Sequence, residues 1–141
     1  MQLVYANFDD SDLRGRTLAD YLIAIDADFE IRDQDRTVYN EPKFPVVELA
    51  RALIAWLEAD FHADFVFESL SSDEPGLVAI TRENSGWRFS SASTPEVVSA
   101  EVDQLDVQSC IRDFIDRVAT DLTARGHDAD TILRGRDGVS P

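Results

Sequence analysis

The chain carries two histidines and one cysteine among its 141 residues, and their placement limits the chemistry available to it. His62 stands in His62-Ala63-Asp64 and His127 in His127-Asp128-Ala129-Asp130. Neither spacing matches a zinc or catalytic signature, so both read as surface loop residues. Cys110 falls on an apolar helical stripe, where a cysteine acts as a small core residue and not as a nucleophile. Ser69, Ser71 and Ser72, and again Ser90, Ser91 and Ser93, lie at turns and strand ends. None sits in a Gly-x-Ser-x-Gly elbow, and no glycine-rich phosphate loop is present. The sequence therefore assigns no catalytic residue, no metal ligands and no cofactor.

Carboxylates are the abundant functional group. There are 28 acids against 13 bases, a formal charge of −15. In residues 18–32, Asp20, Asp26, Asp28 and Glu30 occupy even positions, while Tyr21, Ile23, Ile25, Ala27, Phe29 and Ile31 occupy odd ones. A strand sends these two sets to opposite faces. Alternate residues then lie about 6.8 Å apart, too wide for adjacent members to hold one bare cation. The same spacing suits a complementary row of Lys and Arg. The row reads either as a solvated outer face or as a docking face for a basic protein partner. The net charge repels nucleic-acid phosphates and anionic lipids, so neither nucleic acid nor membrane is expected as a partner.

An alternative site would lie between sheet and helices, for a small ligand or an enzymatic reaction. Its candidates are Glu41, Glu48, Trp87 and Arg88, and it requires them to converge in a concave pocket. Trp56 and Trp87 otherwise read as core or core-edge residues.

The positioning elements follow from periodicity. Residues 2–8 read as a strand, 18–32 as one long strand with one apolar and one acidic face, and 36–40 as its return partner. After Pro45 the period changes: Val46, Leu49, Ala50, Leu53, Ile54 and Leu57 predict a helix. Residues 64–70, 77–83, 87–91 and 96–102 read as further strands. A final helix is capped by Asp103 or Asp106, carries Val107, Cys110, Ile111, Phe114, Ile115, Val118 and Leu122 on one stripe, and stops at Gly126. The prediction is one α+β domain over 1–126. Its mostly antiparallel sheet has about six to seven strands, with two main helices packed on one face. Residues 127–141 read as a weakly structured tail that can hold a helical turn at Asp128–Leu133. A single cysteine fits a reducing cytoplasm, and the N-terminus lacks the basic and apolar regions of a signal peptide. No apolar run approaches the roughly 18 residues that span a bilayer.

Three segments carry a resemblance: Phe44-Pro45-Val46-Val47-Glu48-Leu49-Ala50 with Trp56 beyond it, Asp64–Ser69, and Gly86-Trp87-Arg88-Phe89-Ser90-Ser91. Through them the middle third of the chain resembles a family of small uncharacterised bacterial proteins. The resemblance implies no catalytic residues. In size, acidity and α+β pattern the chain is also similar to immunity proteins of bacterial toxin systems, a likeness of general character. It implies an acidic, non-enzymatic binding protein or antitoxin that neutralises a basic toxin.

Overall fold

The structure is a computed structural model that describes residues 1–59 and 63–135. It is α+β. Strands β1 (Gln2–Asp9), β2 (Asp26–Asp33) and β3 (Arg36–Phe44) form one antiparallel sheet in that order. Strands β4 (Phe65–Val66), β5 (Ala79–Glu83) and β6 (Gly86–Ser90) form a second. Four helices complete the described chain: α1 (Leu18–Ala24), α2 (Val46–Glu58), α3 (Gln104–Ala124) and α4 (Ala129–Arg134). Two three-stranded sheets thus replace the single sheet of six to seven strands that periodicity predicts. None of the described helices is long and apolar enough to cross a membrane.

The predicted long strand is a helix followed by a strand. Thr17 caps α1 by accepting from the Asp20 N–H, while the Asp20 carboxylate accepts from the Thr17 N–H, a reciprocal capping box. Leu18, Tyr21 and Leu22 are buried at helical spacing, whereas Ile23 is 53% exposed. Asp20 therefore leaves the strand face. Only Asp26, Asp28 and Glu30 remain on β2, opposite buried Ala27, Phe29 and Ile31.

The predicted strand at 96–102 reduces to two isolated bridges, Ser90 with Val98 and Trp87 with Val102. Buried Ser99 takes over the pairing there. Its Oγ accepts from the Phe89 N–H at 2.9 Å and its own N–H donates to the Phe89 carbonyl at 3.0 Å. The α2 and α3 stripes are buried as their periods require, Leu57 only in part. Asp103 is the α3 cap, accepting from the Asp106 N–H. The helical turn anticipated at Asp128–Leu133 is α4, and its Ile132 and Leu133 enter the core, so this part of the tail is built into the fold. Residues 136–141 lie outside the described residues.

Aromatic rings join the layers. Phe29 of β2 stacks on Phe44 at 4.6 Å between centroids, and Phe114 of α3 meets Phe29 edge-on at 5.8 Å. Phe44 in turn lies 5.6 Å from Phe67, just past β4. Trp56 of α2 meets Trp87 of β6 at 5.3 Å and 88°. Phe44 closes β3, and Pro45 beside it opens α2, so one ring fixes the end of a strand, the start of a helix and the approach of the second sheet. Phe44→Ala should cost about 3–5 kcal/mol of unfolding free energy and Phe44→Leu clearly less, read by urea denaturation. Losses of under about 1 kcal/mol for both would show that the sheets do not depend on this ring.

Candidate functional site

Asp26 and Asp28 stand at the first end of β2. Asp26 pairs in register with Asp9 of β1, which sets two carboxylates on directly opposed residues. Like charges so placed destabilise a sheet. Both flanking strands bulge at this level: β1 between Ala6 and Asp9, and β3 opposite Ala27 to Phe29. Each bulge holds a non-glycine residue in the left-handed region, Asn7 at φ 59° and Lys43 at φ 53°. Asparagine tolerates that conformation; lysine pays for it with about 1–2 kcal/mol. Both side chains serve the acidic group. Asn7 Nδ2 donates to Asp28 Oδ2 at 2.7 Å, and Lys43 is the cation that acts on Asp9 and Asp26 alike.

The carboxylates are unequal. Hydrogen bonding from Ser11 holds Asp9 below the usual carboxylate range, with Arg125 and Lys43 helping. Asp26 is pushed above that range, first by burial and then by Asp9, with Asp12 and Asp28 adding and Lys43 opposing. Among the described residues Asp26 has no hydrogen-bond donor. Ionised Asp26 is therefore held against its surroundings, the reverse of a carboxylate that anchors a fold.

The other sequence candidates are already engaged. Glu30 is paired with Arg32 at 2.8 Å and accepts from Thr37, and these bonds hold it below the usual range. Asp20 is occupied by its capping box. Glu41 is exposed on β3. Glu48 is buried in the first turn of α2, accepting from Ser69 Oγ at 2.6 Å and the Leu70 N–H at 2.8 Å. Trp87 is buried against Trp56. Arg88 pairs with Glu83 at 2.7 Å and donates to the Ser99 carbonyl. Of five clefts on the described surface, Arg88 lines one, and Glu41, Glu48 and Trp87 line none of them.

His127 departs from the loop reading. Its Nε2 lies 2.9 Å from Asp10 Oδ2, its ring meets Tyr21 edge-on at 5.4 Å, and only 15% of its side chain is exposed. Arg125 donates to the other oxygen of Asp10 at 2.9 Å. His62 lies outside the described residues. Burial pushes the Cys110 thiol up to about 11, which fits a core cysteine. Among the described residues, no three His, Cys or carboxylate side chains are grouped as a metal ion would require.

Asn7, Asp9 and Lys43 are the residues that sequence reading missed. Asp9 lies one residue past the strand read at 2–8, and its pairing with Asp26 is a fact of register. Asn7 before an acidic turn and Pro42-Lys43 before Phe44 are the local signals that alternation breaks there.

The site belongs to an α+β domain of two small antiparallel sheets wrapped on two long helices. Within that class the chain belongs to the family described as Domain of unknown function (DUF7878), which matches residues 1–124. This agrees with the resemblance to an uncharacterised family. The matched span contains the whole acidic corner, while Arg125 and His127 follow directly after it. No curated protein and no solved structure matches the chain.

The contacts of Glu48 make it a brace for the loop after β4. Glu48→Ala should cost about 1–3 kcal/mol, because it leaves the Leu70 N–H and the Ser69 hydroxyl without their acceptor, and should speed amide exchange at Leu70. Unchanged stability and exchange would show that the carboxylate does not hold the loop.

Proposed function

We propose that the corner formed by Asp9, Asp26 and Asp28 is a docking surface for a cationic protein, and that the chain is a non-enzymatic binding protein. The most concrete form of this reading is an immunity protein or antitoxin that covers a basic toxin. The observation that carries it is the pairing of Asp9 with Asp26 between two bulged strands, where burial and Asp9 both disfavour the charged form of Asp26. A lysine or arginine from a partner relieves that repulsion on binding, so the gain appears in the complex and not in the free chain. The net charge of −15 adds long-range attraction, which speeds encounter with a basic surface. Glu30, paired within its own sheet, contributes less than its position on the strand suggests.

The reading predicts a salt-sensitive complex. Affinity capture from the host at low and high ionic strength should yield a cationic protein that is lost at high salt. With that partner purified, Asp26→Lys combined with Asp28→Lys should slow association by about tenfold or more, while Glu30→Gln should change it little. Association that ignores both the double reversal and the salt concentration would remove this surface from the account.

A further inference from the structure

A second surface has the opposite character. A cleft of about 510 Å³ opens between the loop from β1 to α1 and the corner from α3 to α4, lined chiefly by Leu13, Arg14, Arg16, Tyr21, Arg125 and His127. Three arginines and a histidine share it, in a chain whose acids outnumber its bases by 28 to 13.

Two glycines set the geometry. A Cβ at Gly15, between Arg14 and Arg16, would come within 2.2 Å of Asp20 Oδ2, so glycine lets this loop lie on the α1 cap. Gly126, between Arg125 and His127, takes φ +84° and ends α3. Its N–H donates to the Thr123 carbonyl and that of His127 to the Leu122 carbonyl, a left-handed helix stop that turns the chain into the cleft wall.

The carboxylates around the cleft are engaged, and so are Arg125 and His127, whereas Arg14 and Arg16 pair with no carboxylate among the described residues. Both oxygens of Asp10 serve Arg125 and His127, Asp20 serves Thr17, and Asp128 serves Thr131. Among the described residues Arg14 donates to the Ser11 and Leu13 carbonyls and forms no ion pair. Arg16 makes no hydrogen bond or ion pair with any described residue. A planar guanidinium presents paired donors that match the oxygens of phosphate or carboxylate.

We infer that this cleft binds a small molecule through a phosphate or carboxylate group held by Arg16 and Arg14, with the Tyr21 and Leu13 wall covering its non-polar part. The volume is that of a small-ligand site. A long polyanion would meet the acidic remainder of the surface and be repelled, so the ligand is small.

The test is titration of the full chain with inorganic phosphate, phenyl phosphate and benzoate, followed by amide NMR and calorimetry. Saturable shifts at Gly15, Arg16, Gly126 and His127 are expected, with phenyl phosphate tighter than inorganic phosphate. Saturation by phenyl phosphate but not benzoate assigns a phosphate group; the converse assigns a carboxylate. Arg16→Ala, at an exposed side chain without a partner, should fold normally and weaken binding by about tenfold. No saturable shift with any probe, or equal affinity in Arg16→Ala and Arg14→Ala, would overturn the inference. Tighter binding of a single-stranded oligonucleotide than of phenyl phosphate would also overturn it. None of these outcomes bears on the acidic corner, which lies outside the cleft lining.

Discussion

The stack of Phe29 on Phe44 is the contact on which the rest of the molecule depends. It commits the odd positions of β2 to the core, because Phe29 cannot pack inward without taking Ala27 and Ile31 with it. The same commitment sends Asp26, Asp28 and Glu30 outward. A slip of one residue would bury three carboxylates, so register is strongly specified. Phe44 also sits between the left-handed Lys43 and Pro45 at the head of α2, and so ties the bulge, the helix start and the second sheet to one ring.

Once that register is fixed, the pairing of Asp9 with Asp26 follows, and it opposes like charges across the strands. Residues in strained backbone, opposed like charges and a raised carboxylate all fall within one short stretch of three strands. Elsewhere Gln34 and Asn84 also take the left-handed region, both at hairpin turns, and the Tyr39 hydroxyl is buried without a partner among the described residues. Helices are capped by Thr17, Asp103 and Asp128, the buried Glu48 has its donors, and the apolar stripes face inward. What sets the acidic corner apart is that backbone strain and opposed like charges coincide there. The basic cleft on the neighbouring loop gives the chain a second surface of opposite sign, reached through the adjacent residue, Asp10.

Local order was legible in the sequence; convergence was not. The α2 and α3 stripes, the alternation over residues 26–31 and the burial of Cys110 and both tryptophans can all be read from residue type and period. Residues 18–25 misled because they satisfy two periods at once. Tyr21, Ile23 and Ile25 alternate, but Leu18, Tyr21, Leu22 and Ile25 also recur at three and four, and the capping box decides for the helix. The alternation at 96–102 misled because a serine side chain replaces ladder bonds. Asp20 shares the even spacing of the acidic face but belongs to α1, so alternation alone places it wrongly. His127 meeting Asp10, and Asp9 meeting Asp26, depend on how distant segments fold together, and no spacing within the chain announces them. Glu48 was legible as an acid at a helix start, but the loop that it braces was not.

The central claim is that burial and Asp9 disfavour the charged form of Asp26 in the folded chain. A carboxyl whose folded pKa is raised favours the folded state below the unfolded pKa, and that advantage is lost as pH rises through the folded value. Urea denaturation of the protein and of Asp26→Asn, across pH and at two ionic strengths, tests this most directly. The account predicts that at neutral pH the variant is more stable by about 0.2–1 kcal/mol. The gap should close as pH falls below the carboxylate range and should narrow with salt. A variant that is less stable than the parent at neutral pH, or a gap that ignores both pH and salt, would contradict the claim.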